Sequence, residues 1–403
     1  MVIAQINDYF NFSTGAIMQT IAKNGLAAGQ EIYCFAPNLS NQPVNVPGYY
    51  AIGSVHTRER HRRIAELTGL NGMFSFGATL RMLRRFDKLH VDLIHLHNLQ
   101  GFCVNLPLLF GYIRRRNIPV VWTLHGTWAY TGKCVHHVIA KCDKWKTGCH
   151  DCPQKNTWPA SRPDNSRRMW RLKKRLFTAV PRMTVVAPSQ WIADMARESF
   201  LKQFPITVIP NGINTYVFKP TESDFREKNG LTGKIVLLGV AAAWGRLKGI
   251  ESMLELAKRL DERYQVVLVG ATAQNAALPP NVLALPAVSD KRELAKIYSA
   301  ADLFIQPTLA DTFPTVNMEA LACGTPVITF RTGGSPEIID ETCGAVVAQG
   351  DVDGLMAAIE DEVRQRKFTK ENCLRRAAQF TAENMVKHYL QLYSDMLRGK
   401  ENE

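Results

Sequence analysis

No apolar run in this 403-residue sequence approaches the roughly 20 residues that a helix needs to cross a bilayer. The opening segment Met1–Asp8 has neither a basic leader nor a long apolar stretch, so no signal peptide is expected and the cytoplasm is the expected compartment. Cysteine is scarce, with 9 residues in all. Cys34, Cys103, Cys323, Cys343 and Cys373 stand apart, as buried small apolar residues do in a reducing compartment. There is no solenoid-period repeat and no low-complexity segment, which removes repeat arrays and disordered tails from consideration. Acid is scarce in the first half: residues 1–205 hold 27 Lys+Arg against 11 Asp+Glu, whereas the remainder holds 22 against 25. That asymmetry suggests an acidic partner for the first half, whether anionic lipid, a phosphate-bearing substrate or nucleic acid.

What is present fits a globular protein of two domains, with 46% hydrophobic and 21% charged residues. Short β-branched runs alternate with helical patterns. In the first half they are Val2–Ile6, Glu31–Phe35, Val91–His95, Pro119–Leu124 and Met183–Ala187; in the second, Ile235–Val240, Gln265–Val269, Val282–Leu285, Leu303–Gln306 and Pro326–Thr329. Near-continuous apolar strands between helices predict two doubly wound α/β domains with parallel sheets, whose ligands sit beyond the C-terminal strand ends. Pro210-Asn211-Gly212 marks a turn between them. The expected division is 1–207, carrying an insertion at about 128–165 and joined by a returning helix at 382–400, and 208–381.

The segment from Gln306 to Ile328 reads as strand, polar loop, helix entered near Pro314, helix-ending Gly324, Pro326 and strand. Unpaired backbone N–H groups at Thr315, Val316 and Asn317 suit a diphosphate. Asp311 and Glu319 can then engage the diols of a sugar and a ribose, since each carboxylate accepts several hydrogen bonds. The bland alternative, a capping Asp and a surface Glu, leaves the surrounding frame unexplained. In Trp244-Gly245-Arg246-Leu247-Lys248-Gly249, Arg246 and Lys248 can neutralise a diphosphate, or be solvated helix-start cations.

The Asp311–Glu319 frame resembles the Glu-x7-Glu signature of retaining glycosyltransferases of family 4, with Asp in place of the first Glu. Thr332-Gly333-Gly334-Ser335-Pro336-Glu337 resembles that family's Gly-Gly-x-x-Glu element, and Arg246/Lys248 its basic pair, with the Arg displaced toward the Lys. The resemblance implies the GT-B fold, two Rossmann-like domains facing a cleft. It implies donor contacts at Thr312, Phe313, Pro314, Thr315, Val316 and Asn317, and no metal requirement for the chemistry. Ser13-Thr14-Gly15-Ala16 resembles the family's short loop near the transferred sugar, which puts Thr14 and Gly15 at the donor. His97-Asn98 and Thr123-Leu124-His125-Gly126 end two strands. The resemblance gives His125 the donor sugar; His97 and Asn98 are acceptor-side candidates.

Cys134, Cys142, Cys149 and Cys152 follow a C-x7-C-x6-C-x2-C spacing. Four thiols so close can form a structural zinc site, or remain free thiols or a redox pair. With its flanks, this insertion resembles colanic-acid-type exopolysaccharide glycosyltransferases. The basic segment Arg167–Phe177 can dock on anionic lipid or be a half-buried helix with a charged face. These readings converge on transfer of a sugar, with retention, from a UDP- or GDP-linked donor to a lipid-linked or other saccharide acceptor in surface-glycan synthesis. The enzyme is expected in the cytoplasm, with peripheral contact to the membrane and no nucleic-acid partner. The rivals are a nucleotide-sugar hydrolase or epimerase of the same fold, and a basic nucleic-acid-binding protein with a zinc module.

Overall fold

The computed structural model describes residues 1–39, 44, 46–271 and 278–399. The chain divides into two compact units: Met1–Pro210 with the chain from Met385 onward, and Asn211–Asn384.

Unit 1 carries strands β1 (Val2–Ile6), β2 (Glu31–Ala36), β3 (Tyr49–Ala51), β4 (Leu93–Leu96), β5 (Val120–Thr123), β6 (Met183–Ala187) and β7 (Ile206–Val208). They form one parallel sheet in the order β3-β2-β1-β4-β5-β6-β7. Its helices are α1 (Phe12–Ala27), α2 (Val55–Thr68), α3 (Phe76–Leu89), α4 (Leu106–Arg116), α5 (Ser166–Phe177) and α6 (Gln190–Glu198). Unit 2 carries α7 (Phe225–Lys228), β8 (Ile235–Val240), α8 (Ile250–Arg259), β9 (Tyr264–Val269), β10 (Val282–Leu285), α9 (Lys291–Ser299), β11 (Leu303–Gln306), α10 (Thr315–Ala322), β12 (Val327–Phe330), β13 (Gly344–Val347), α11 (Val352–Gln365) and α12 (Lys370–Ala377). Its sheet is parallel in the order β10-β9-β8-β11-β12-β13. In each sheet the direction of winding reverses once, between β1 and β4 and between β8 and β11. A crevice opens outside the strand ends at such a point. The expected site residues cluster at these two reversals.

The central strands are buried on both faces, which is why they read as unbroken apolar runs. The last helix, α13 (Ala382–Arg398), lays Met385, Val386, Tyr389 and Tyr393 into the core of unit 1. Two of its tyrosines bond sheet residues: Tyr393 Oη lies 2.6 Å from His95 Nδ1, and Tyr389 Oη 2.8 Å from Thr123 Oγ1. Residue 400, the expected end of this helix, lies outside the described residues.

Two features of unit 1 bear on its basic helix and its cysteine-rich insertion. Helix α5 turns Met169, Trp170, Lys173 and Phe177 inward, so its apolar face belongs to the core and its other basic residues form the outer face, as in a half-buried helix with a charged face. The insertion is stiffened by buried lysines. Lys133 Nζ donates to the carbonyls of Gln154, Lys155 and Thr157 at 3.1, 2.6 and 2.9 Å. Lys173 Nζ donates to Trp128 O and sits 3.7 Å from the Trp128 ring centre; burial pushes its pKa down to about 7. Cys134 and Cys152 approach to 3.8 Å, Cys149 Sγ accepts from Gly132 N, and among the described residues no three His, Cys, Asp or Glu side chains are grouped to hold a metal ion.

Candidate functional site

In unit 2, the turn Arg246–Lys248 follows β8 and ends at Gly249 with φ +78. A Cβ at Gly249 would lie 2.0 Å from Pro307 O, so only glycine lets this turn approach the loop after β11. The two are tied by Thr308 Oγ1 and Leu309 N, both donating to Leu247 O. On the other side Gly333, at φ +56, packs against Asp311 O, where a Cβ would be 1.6 Å away. Gly334 N donates to Thr312 O at 3.1 Å. The downstream Gly-Gly element therefore shapes the Asp311 loop by close backbone approach.

This clamp brings Lys248 Nζ to 2.7 Å from Asp311 Oδ2. Arg246, on the same turn, is exposed and has no ion-pair partner among the described residues. Helix α10 begins at Thr315 after Pro314, with no side-chain cap. Asn317 N donates to Pro314 O at 3.3 Å, so Thr315 and Val316, and not Asn317, keep first-turn N–H groups for a ligand. Glu319 is half-buried and accepts from Tyr298 Oη at 3.1 Å. Burial raises its pKa above the usual carboxylate value, against the hydrogen bond from Tyr298.

Several expected donor residues work inside the fold. Phe313 is buried, with its ring centre 5.8 Å from that of Phe380, so its side chain is not offered to a ligand. The Asn317 amide is fully buried and unpartnered among the described residues. Sequence reasoning missed Tyr298, which lies on α9 and whose spacing from Glu319 carries no signal.

In unit 1, Thr14 and Gly15 lie within α1, not in a loop. A Cβ on Gly15 would meet Phe10 O at 2.1 Å, which makes it a packing glycine. Thr14 Oγ1 accepts from the Asn7 amide at 3.2 Å, and Asn98 N donates to Asn7 Oδ1 at 3.3 Å. Asn7 thus ties the ends of β1 and β4 together. His97 Nδ1 is 3.0 Å from His125 Nε2, and His97 Nε2 is 3.1 Å from Gln5 Oε1. The Gln5 amide donates to Met18 O, so Gln5 Oε1 accepts from His97 Nε2–H. A neutral His97 then accepts at Nδ1 from His125 Nε2–H. Burial holds both rings neutral, pushing His125 down to about 4 and His97 well below its ordinary value. His97 is 1% exposed, so it fixes the tautomer of His125 from behind and does not itself meet an acceptor.

Comparison with known proteins decides the class. The model of "Glycosyl transferases group 1" matches residues 221–379 and that of "Glycosyltransferase Family 4" matches residues 15–216. The chain belongs to glycosyltransferase family 4. It is 25% identical over 315 residues, 75% of this chain and 76% of the other, to WcaC of Escherichia coli (strain K12), described as a colanic acid biosynthesis glycosyl transferase. Its fold is similar to that of sucrose-phosphate synthase from Thermosynechococcus elongatus, with TM-score 0.75 and 20% identity over 98% of this chain and 99% of the other. It is similar as well to HepE of Anabaena solved with UDP-glucose, with TM-score 0.68 and 16% identity over 98% of this chain and 100% of the other. The protein is therefore a GT-B glycosyltransferase.

Proposed function

We propose that this glycosyltransferase moves a sugar, with retention, from a UDP- or GDP-linked donor to a saccharide acceptor, lipid-linked, in the synthesis of a surface glycan at the cytoplasmic face of the membrane. The observation that carries the donor half is the Lys248–Asp311 pair held beside the open start of α10. A diphosphate needs cations and N–H donors, which Lys248, Arg246, Thr315 and Val316 supply. Asp311 and Glu319 supply acceptors for hydroxyls on either side of it. As the bond from the anomeric carbon to the diphosphate breaks, negative charge grows on the leaving oxygen, and a cation already in place stabilises it most. These groups meet that charge without a metal, and we propose no cofactor for the transfer. His125, neutral and of defined tautomer, suits a sugar hydroxyl.

The glycan half rests on the likeness to WcaC; HepE is a structure solved with UDP-glucose, which favours a uridine nucleotide for trial first. The test is product analysis with labelled nucleotide sugars, with and without a saccharide acceptor. Transfer that requires acceptor supports the reading. Free sugar released at the same rate without acceptor would instead make the protein a hydrolase.

A further inference from the structure

One cavity of unit 1 is unused by the reading above. It lies between α2 and the start of α3, has a volume of about 560 Å³, and is lined by Arg60, His61, Phe74, Ser75, Phe76 and Arg81 among others. We infer that this cavity is a binding site for an acidic saccharide, one carrying a carboxylate or a phosphate.

Three observations on its lining support this. First, Arg60 and Arg81 are exposed and have no ion-pair partner among the described residues, while their neighbours Arg62 and Arg63 are paired with Glu59 at 2.7 and 3.1 Å. Two uncompensated guanidiniums at one concavity match a planar or tetrahedral oxyanion. Second, Ser75 Oγ donates to Phe102 O at 2.7 Å and therefore accepts from His61 Nδ1–H at 2.6 Å. With the ring neutral, Nε2 is an acceptor for a hydroxyl. Third, Phe74 stacks on His61 with centroids 6.4 Å apart, and Phe76 stands 59% exposed at the rim. Such apolar faces suit the C–H face of a sugar ring. A bare anion would use only the guanidiniums; a neutral sugar would leave them idle. The volume falls within the range usual for small-ligand sites.

The inference rests on the saccharide-acceptor reading, and its test contains no nucleotide, so the two can fail separately. The purified full chain is titrated calorimetrically with methyl glucuronide, glucose 6-phosphate, methyl glucoside and inorganic phosphate. At least one acidic sugar should bind roughly tenfold or more tightly than both methyl glucoside and inorganic phosphate, and which one it is distinguishes carboxylate from phosphate. Arg60→Gln with Arg81→Gln should abolish that preference, and Phe76→Ala should weaken binding with the charge intact. No binding, methyl glucoside or inorganic phosphate as tight as the better acidic sugar, or an unchanged preference in the folded double variant would each overturn the site.

Discussion

Lys248 Nζ lies 2.7 Å from Asp311 Oδ2, so the cation assigned to the diphosphate and the carboxylate assigned to the sugar are joined before any donor arrives. The two side chains are 38% and 19% exposed. A pair of that exposure contributes little to stability, about 0–1 kcal/mol, and what it fixes is the position of the ammonium. An Asp one methylene shorter than the Glu of the family signature still reaches the lysine, because Gly249 and Gly333 draw the two loops together.

Lys248→Ala should lower kcat/KM by about 10²–10³-fold, the usual loss for one group stabilising a leaving charge. Asp311→Asn should cost less, on the order of tenfold, because the lysine loses its anchor and keeps its charge. Circular dichroism should show both variants folded. Steady-state kinetics with equal rates for wild type and Lys248→Ala would remove the lysine from the donor site.

The proposed function uses Glu319 as an ionised hydroxyl acceptor; burial raises its pKa above the usual value while Tyr298 opposes that rise. Activity should therefore fall on acidification at a higher pH than for an ordinary carboxylate. Tyr298→Phe removes a hydrogen bond to the charged form, so the acid limb of kcat/KM should move to still higher pH. An unmoved limb would separate Glu319 from the pH dependence.

His125 is neutral in the fold, with its pKa near 4 against about 6.5 in the unfolded chain. Its depressed value makes the unfolded state the better proton acceptor between these limits. Its contribution to stability is thus complete above pH 6.5, falls as pH drops toward 4, and amounts to roughly 3 kcal/mol across that window. Thermal unfolding of wild type and His125→Gln should diverge less at pH 4.5 than at pH 7. A gap independent of pH would contradict the buried neutral ring.

Cys134 and Cys152 share a hydrogen bond between their sulfurs, which pulls the pKa of Cys152 down while that of Cys134 rises. Mass spectrometry after brief alkylation at pH 7 should find Cys152 modified first, and Cys134→Ala should slow it severalfold. Earlier labelling of Cys134 would refute the pairing.

Both sheets could be read from the sequence at their centres, and at their edges only in part: the edge strand β10 (Val282–Leu285) is legible and three others are not. Val2–Ile6, Met183–Ala187 and Ile235–Val240 coincide with observed strands, because burial on both faces leaves an apolar run. The missed strands β3, β7 and β13 lie at sheet edges and are short and half-exposed, which erases that run. The closeness of Lys248 to Asp311 could be anticipated because a rigid strand–loop–helix frame carries each of them. The inward turn of Phe313, the support of His125 by His97 and Gln5, and the Tyr298 bond depend on packing between distant segments. Cysteine spacing says which thiols are near in sequence; it carries no sign of the hydrogen bonds by which Lys133 and Lys173 stiffen the insertion.

The central claim is that a nucleotide sugar binds beside the Lys248–Asp311 pair. Its most direct test is thermal unfolding of wild type and Lys248→Ala with a panel of UDP- and GDP-sugars. At about a hundredfold excess over Kd a ligand stabilises by about 2.7 kcal/mol, which raises Tm by a few degrees. The account predicts that rise for at least one donor in wild type and its loss in Lys248→Ala; no rise with any donor, or an equal rise in both proteins, would contradict it.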